Sequence, residues 1–103
     1  MTNKNYEAGR AAENYIKGRL RERGVVVRAA GSKGDIDLVF FHGGHAWAIQ
    51  VKGGKRGMNP ARAESLWEDL ERKYAGAVPF IVIYKCSLDG RYHATPMQEW
   101  WKQ

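Results

Sequence analysis

One stretch of the chain, GDIDLVFFHGGHAWAIQVKGG, sets polar side chains of functional types inside a strongly apolar pattern. Apart from the two histidines that flank the Gly-Gly pair, the polar members are Asp35, Asp37, Gln50 and Lys52. Carboxylate and amide oxygens are typical ligands of hard divalent cations, so these residue types could form a metal site if the chain brings them together. Whether they meet depends on the strands that carry them.

The stretch is typical of a β-hairpin that turns at Gly43 and Gly44. A two-residue turn determines which residues of the two strands face each other. Continued along both strands, that register predicts that Asp37 faces Gln50 and that Asp35 faces Lys52. Directly opposed Cβ atoms lie about 4.5–5.5 Å apart, so the four polar side chains would form one patch.

The polar face of the hairpin has two interpretations. An exposed cross-strand pair of aspartate and lysine is an ordinary surface feature that contributes little to stability. If strand 46–52 is central in its sheet, both of its faces are covered, and a buried polar set requires compensation that a divalent cation would supply. The other face, where Ile36 is predicted to lie opposite Val51, is uniformly apolar and belongs to the core. On this pattern we favour the metal site.

Glu13 is a further candidate ligand from a different element. Residues 6–23 have the apolar periodicity of a helix, and Glu13 precedes Ile16 by three residues and Leu20 by seven. This spacing places the carboxylate beside the buried stripe, and Gly9 one turn earlier leaves room for close approach. A carboxylate at this position either extends to solvent or points at a metal ion or a lysine.

The order of the predicted elements indicates an α/β fold. Asn59 can cap the second helix, with Pro60 at its first position, and Trp67 belongs to its apolar stripe. The order helix, three strands, helix, strand implies a mixed sheet flanked by helices. The expected elements are a helix over 6–23, a strand over 25–29, hairpin strands near 35–41 and 46–52, a helix over about 60–75, and strands over 80–84 and near 91–95.

Length, charge and cysteine content limit the class of protein. The chain of 103 residues is expected to form one domain, 1–103. A net charge of +6 and a pI near 9.7 are typical of a protein that binds a polyanion such as nucleic acid, although they also suit a merely solvated surface. Cys86 is the only cysteine, which excludes an intrachain disulfide and, by count alone, a thiolate metal site.

The sequence also predicts where the protein acts. Its start, MTNKNYEAGR, does not have the pattern of a signal peptide, and no apolar run is long enough to span a membrane. We therefore expect a soluble cytoplasmic protein, located in the host cytoplasm if its source is viral.

Three pieces of the first half of the chain together resemble the PD-(D/E)-x-K nuclease superfamily, and more narrowly the Holliday junction resolvases of archaea and some phages. They are G-x-x-x-E from Gly9 to Glu13, VVVRAAGSKG leading into IDLVFF, and AIQVKGG. Two positions depart from the pattern: Ile36 stands at the usual proline, and Gln50 replaces the usual glutamate, as in the Q-x-K variant of Mrr-like restriction nucleases. The resemblance implies a restriction-endonuclease-like α/β fold with a mixed central sheet flanked by helices.

The resemblance also implies metal-dependent hydrolysis of phosphodiesters and a role for each matching residue. Mg²⁺, with Mn²⁺ as a substitute, would be held by Glu13, Asp37, Gln50 and the Val51 carbonyl. Lys52 would position or activate the attacking water and offset charge in the transition state. DNA phosphates would be contacted by a second set of residues, which position the substrate without reading its sequence: Arg28, Ser32, Lys33, Lys55 and Arg56.

Three functions remain open on the sequence. The leading hypothesis is a homodimeric endonuclease that resolves four-way DNA junctions in recombination and repair, since a two-fold dimer matches a substrate that is cut on two symmetric strands. Trp100 and Trp101 are candidates for the dimer interface. The alternatives are another nuclease of the same superfamily, such as an Mrr-like restriction or nicking enzyme, and a catalytically weak DNA-binding module, for which Gln50 is the reason.

Overall fold

The computed structural model describes residues 4–29, 34–74 and 77–96. These residues form α1 (Lys4–Leu20), β1 (Val25–Arg28), β2 (Leu38–His42), β3 (His45–Lys52), α2 (Pro60–Lys73), β4 (Phe80–Lys85) and β5 (Tyr92–Thr95). The strands make one sheet in the order β1-β2-β3-β4-β5, in which β3 and β4 run parallel and the other described pairs run antiparallel. The predicted α/β fold, a mixed sheet flanked by helices, is confirmed. Among the described residues, neither helix is long and apolar enough to cross a membrane.

The hairpin between β2 and β3 has the predicted register from its turn as far as Leu38. Gly43 and Gly44 have φ angles of 61° and 78°, which a primed two-residue turn requires and which glycine adopts without strain. Leu38 pairs with Ile49, as the register set by the two-residue turn requires. The turn therefore aligns the two strands that carry most of the candidate site.

Helix α2 connects the parallel strands β3 and β4. A parallel connection must cross from one end of the sheet to the other, and a helix commonly makes this crossover. Asn59 caps α2 as predicted, since its Oδ1 accepts the Arg62 N–H at 2.8 Å, and Pro60 is the first helical residue. Trp67 is half-buried, and its Nε1 donates to the Phe80 carbonyl at 2.8 Å. This bond ties α2 to the start of β4.

The two helices cover opposite faces of the sheet. Alternate residues of the central strands point to opposite faces, and they belong to two separate buried clusters. The α1 cluster contains Ile16 and Leu20 together with Leu38, Phe40, Ile49 and Val51. The α2 cluster contains Ala63 and Leu70 together with Ala48, Phe80, Val82 and Tyr84. A side chain of β3 can therefore be assigned to a face from its neighbours.

Helix α1 ends at Leu20, before the predicted boundary at residue 23, and a turn leads from it to β1. Gly24 lies in this turn close to the backbone of β2. A Cβ atom on Gly24 would lie 2.4 Å from the Phe41 carbonyl oxygen, so the chain can pass β2 at this point only as glycine. After this close approach, the chain enters β1, which pairs with β2. Val26 of β1 and Phe40 of β2 both belong to the α1 cluster.

Candidate active site

The ladder between β2 and β3 breaks at Asp37. Leu38 pairs with Ile49, yet the Asp37 N–H also donates to the Ile49 carbonyl, at 2.8 Å. Two successive residues of one strand therefore face a single residue of the other, which is the pattern of a β-bulge. A one-residue slip changes the face to which side chains point. The predicted facing of Asp37 and Gln50 is therefore wrong.

The residues before the bulge are turned toward α2. Asp35 Oδ2 accepts hydrogen bonds from Lys73 Nζ at 2.5 Å and from the Tyr74 hydroxyl at 2.9 Å. The bond from Lys73 is the main cause that lowers the pKa of Asp35. The predicted pairing of Asp35 with the lysine at the end of β3 is therefore wrong. Ile36 packs against the α2 cluster, whereas Val51, its predicted partner, belongs to the α1 cluster.

At the end of β3, the Asp37 side chain takes the place of a neighbouring strand as the hydrogen-bond partner of the backbone. Its Oδ2 accepts the Val51 N–H at 2.7 Å. The N–H and C=O of one strand residue point to the same side, so the Val51 carbonyl is directed into the gap beside Asp37. Burial raises the pKa of Asp37, while the bond from Val51 and the positive charges of Lys52 and Arg28 act in the opposite direction. The backbone thus fixes a carboxylate in a partly buried position.

Helix α1 brings Glu13 into the electrostatic field of Asp37. The Glu13 side chain is 23% exposed, and its Oε1 lies 3.8 Å from Arg28 Nε. Burial and the negative charge of Asp37 raise the pKa of Glu13, and the charges of Arg28 and Arg10 lower it. Arg28 also donates from Nη2 to Asn14 Oδ1 at 3.2 Å. Arg28, a predicted phosphate contact, therefore lies beside a carboxylate of the candidate site.

Gln50 has a buried amide oxygen, Oε1, that accepts no hydrogen bond from the described residues. Its neighbours Ile49 and Val51 belong to the α1 cluster, so strand alternation places Gln50 on the α2 face, with Ala48. An unpaired buried oxygen of this kind costs about 1–3 kcal/mol. A buried polar atom without a partner requires an explanation, and one such explanation is a bound ion.

The pairing of β2 with β3 ends at Leu38, which leaves a gap beside the end of β3 that borders both faces of the sheet. Beyond Leu38, residues 50–52 remain paired with β4 on one side, but on the other side it is the Asp37 carboxylate, not a strand, that bonds the Val51 N–H. A group bound in this gap could be approached from the α1 face by Glu13 and from the α2 face by residue 50. We refer to this place as the β2-β3 gap.

The oxygen atoms that Glu13, Asp37, Gln50 and Val51 carry are of the types that a hard divalent cation binds. They belong to two carboxylates, one amide without a donor and one backbone carbonyl, and Mg²⁺ and Mn²⁺ prefer such ligands. The raised pKa values of Glu13 and Asp37 indicate that nearby cationic side chains do not fully compensate the burial of the two carboxylates or, for Glu13, the negative charge of Asp37. A bound cation would relieve both. The assignment of these groups as metal ligands stays a prediction.

Of the basic residues predicted to act at the phosphate, Arg28 and Lys52 act on the charge of Asp37. Lys52 is the exposed last residue of β3. Lys55 and Arg56 follow in an exposed loop. Four other residues singled out from the sequence lie outside the described part of the chain: Ser32, Lys33, Trp100 and Trp101.

Two features of the structure are absent from the sequence predictions. The pairing of Arg28 with Glu13 joins β1 to α1, and no short-range pattern indicates it. The convergence of Cys86, Asp89 and His93 has a local signal, the spacing C-x-x-D-x-x-x-H. A count of cysteines overlooks it, because a mixed ligand set requires only one thiolate.

No protein-family model matches this chain, and no curated protein is significantly similar to it. Function is therefore inferred from the β2-β3 gap and from the residues that resemble the nuclease motif.

Proposed function

We propose that the chain is a metal-dependent, structure-selective DNA endonuclease that resolves four-way junctions by phosphodiester hydrolysis. The observation that carries this proposal is the β2-β3 gap, where Asp37 bonds the Val51 N–H and acts on the charge of Glu13, while the adjacent residue Gln50 has an amide oxygen on the α2 face that is unpartnered among the described residues. A partly buried set of oxygen atoms with uncompensated negative charge suits a cation, and a net charge of +6 suits DNA. The mixed sheet with a helix on each face agrees with the fold that the resemblance implies.

The proposal assigns a role to each group at the gap. The metal ion would be held by Asp37, Glu13, Gln50 and the Val51 carbonyl. Mg²⁺ or Mn²⁺ supplies Lewis-acid polarisation of a phosphoryl oxygen and lowers the pKa of a bound water. The Val51 N–H orients the Asp37 carboxylate through one of its oxygens. Burial and Asp37 raise the pKa of Glu13, and the positive charge of Arg28 acts against this rise. Lys52 would offset negative charge that develops on the phosphate.

We propose a second copy of the chain as the partner at the β1 edge of the sheet. Val25, Val27 and Phe41 are 63%, 45% and 47% exposed. The pairing of β1 with β2 places all three on one face at the edge of the sheet. An exposed apolar patch of this kind is typical of an interface. A homodimer would cover it and would supply two active sites for the two symmetric strands of a junction, in recombination and repair in the cytoplasm.

A specific observation favours a second candidate, a catalytically weak DNA-binding module. Arg28 already pairs with Glu13, and the neutral Gln50 stands where the nuclease pattern has a glutamate. The gap therefore has less net negative charge than a site with three carboxylates, and it would bind a cation more weakly. Such a protein would bind junctions without cutting them.

Cleavage of a labelled four-way junction distinguishes these candidates. We expect cutting in Mg²⁺ and in Mn²⁺, none in a chelator, and a preference for the junction over duplex of equal length in excess competitor duplex. Asp37→Asn should abolish cleavage and leave junction binding nearly intact, because binding depends on basic contacts to phosphates. Asp35→Asn is the matched control: Asp35 is bonded to residues at the end of α2, and its loss should leave cleavage unchanged.

The other outcomes of this experiment have distinct meanings. Junction binding without cleavage in both ions would support the DNA-binding module. Equal affinity for junction and duplex, with cleavage, would favour a restriction or nicking enzyme. Full activity of Asp37→Asn in Mg²⁺ would contradict the proposed site itself.

A further inference from the structure

A second group of metal-ligating side chains lies in the turn between β4 and β5. It consists of Cys86, which is buried directly after β4, Asp89 in the exposed turn, and His93 in β5. One ligand atom from each residue lies within 4.8 Å of the other two. The three groups are a thiol, a carboxylate and an imidazole, which differ in chemistry from the all-oxygen set at the β2-β3 gap.

Backbone hydrogen bonds close this turn and set the relative positions of the three residues. The Cys86 N–H donates to the Arg91 carbonyl at 2.7 Å, and the Gly90 N–H donates to the Cys86 carbonyl at 2.9 Å. The Asp89 carboxylate is fixed at both oxygens, since Oδ1 accepts the Arg91 N–H at 2.8 Å and Oδ2 lies 2.8 Å from His93 Nε2. The convergence therefore results from a well-bonded turn.

We propose that Cys86, Asp89 and His93 bind a divalent transition-metal ion of the zinc type. Thiolate sulfur, imidazole nitrogen and carboxylate oxygen are the three protein ligand types that Zn²⁺ takes, and a water would complete its tetrahedron. Mg²⁺ and Ca²⁺ prefer oxygen ligands and would not take the thiolate. This proposal is independent of the nuclease function.

The separations of the ligand atoms suit an ion of this size. With ion–ligand distances of about 2.0–2.3 Å, atoms at the corners of a tetrahedron are about 3.3–3.6 Å apart. The distance of 2.8 Å between the Asp89 and His93 atoms and the outer limit of 4.8 Å for the group lie on either side of that value. Side-chain movements of about 1 Å would therefore seat the ion.

The turn site is separate from the β2-β3 gap. Lys52 pairs with Tyr84, and Tyr84 pairs with His93, so His93 lies two strand spacings, about 10 Å, from Lys52. Two-metal catalytic centres hold their ions about 3.5–4 Å apart. An ion in the turn is therefore not a second catalytic metal for the gap, and we expect it to stabilise the turn and the short strand β5.

Cobalt binding to the metal-free chain tests the proposal. Co²⁺ bound by a thiolate gives a sulfur-to-metal charge-transfer band, and since the chain has one cysteine, that band can come only from Cys86. We expect one Co²⁺ per chain, displacement by one equivalent of Zn²⁺, and no displacement by excess Mg²⁺. Zn²⁺ should also raise the unfolding temperature of the wild-type protein, because it binds the folded state.

Substitutions of single ligands locate the ion. His93→Gln and Asp89→Asn should each weaken Zn²⁺ affinity by at least the roughly 10–100-fold that loss of an outer-shell partner causes. The matched controls, His45→Gln and Asp69→Asn, change the same residue types at exposed positions elsewhere and should leave the affinity unchanged. Cys86→Ser should abolish the charge-transfer band. Cys86 is buried, so Cys86→Ser could fail to fold; in that case the His93 and Asp89 variants test the proposal.

Three results would overturn the proposal. The first is no saturable binding of Co²⁺ or Zn²⁺ by the wild-type chain. The second is bound Co²⁺ without a charge-transfer band, which would place the ion away from the thiolate. The third is an equal loss of affinity in the ligand variants and in their matched controls.

Discussion

Replacement of Gln50 by methionine separates the stability of the fold from the function of the gap. Methionine has a similar length and volume but no amide, so it should preserve packing on the α2 face. The Gln50 Oε1 atom is buried and has no donor among the described residues. Removal of an unpaired group of this kind recovers about 1–3 kcal/mol, while hydrogen bonds lost from the amide nitrogen contribute about 0.5–1.5 kcal/mol each. We expect the free energy of unfolding of the metal-free protein to increase by about 1 kcal/mol.

The assay is urea unfolding followed by tryptophan fluorescence, in chelator and in Mg²⁺, with the melting temperature as a second measure. A gain of about 1 kcal/mol corresponds to a rise of about 4–8 °C for a domain of this size. Mg²⁺ at 100 times its Kd would stabilise the wild type by about 2.7 kcal/mol, and methionine removes one of its ligands. The advantage of Gln50→Met should therefore shrink in Mg²⁺, and junction cleavage should fall.

Lys52→Met is the matched control for stability. It introduces the same side chain two residues further along the same face, at an exposed position, and should change the free energy of unfolding in chelator by no more than about 0.5 kcal/mol. A loss of more than about 1 kcal/mol for Gln50→Met in chelator would show that the amide oxygen has a donor in the folded protein. The Gln50 oxygen would then no longer count as an unpartnered atom, and it would no longer favour Gln50 as a metal ligand.

Three further predictions concern the gap, the two aspartates beside the bulge, and the exposed apolar patch. Gln50→Glu adds a negative charge beside the proposed ion, so half-maximal cleavage should require less Mg²⁺; an unchanged requirement in a magnesium titration would exclude residue 50 as a ligand. The raised pKa of Asp37 makes the metal-free fold lose stability as the pH rises from the ordinary value of 3.8 through the raised one. In urea unfolding, Asp37→Asn should therefore be more stable than wild type at about pH 7 and lose that advantage below about pH 3. Asp35 has a lowered pKa and contributes stability that is lost as the pH falls, so Asp35→Asn should destabilise at about pH 7, and equal signs for the two variants would refute the assignment. Phe41→Lys charges the exposed apolar patch and should convert a dimer to a monomer in light scattering, whereas Glu64→Lys on the exposed side of α2 should not; a Phe41→Lys dimer would place the interface elsewhere.

Features that depend on neighbouring residues could be predicted from the sequence. Gly43 and Gly44 determine a primed turn, and the turn determines that Leu38 pairs with Ile49. Asn59 supplies the cap of α2. Backbone dihedral preferences and hydrogen bonds over a few residues decide these features, and together with apolar periodicity they were sufficient for the α/β fold.

The arrangement around Asp37 depends on long-range contacts that no local pattern contains. Extending the hairpin register assumes that the ladder continues, but other elements compete for the same residues. The Asp37 carbonyl accepts the Ala29 N–H at 3.0 Å, which keeps this segment beside β1, while Lys73 and Tyr74 bind Asp35 from the end of α2. These contacts draw the chain out of register with β3, and a slip of one residue changes the face of each side chain before it.

The sequence by itself therefore determined which chemical groups this chain carries and which strands hold them. Only the tertiary structure decided which groups meet: Asp37 with the Val51 N–H, Glu13 with Arg28, and Gln50 with no donor among the described residues. The physical reason is that the free energy of each of these contacts depends on burial and on partners from distant parts of the chain, and both exist only once α1, α2 and the sheet have packed together.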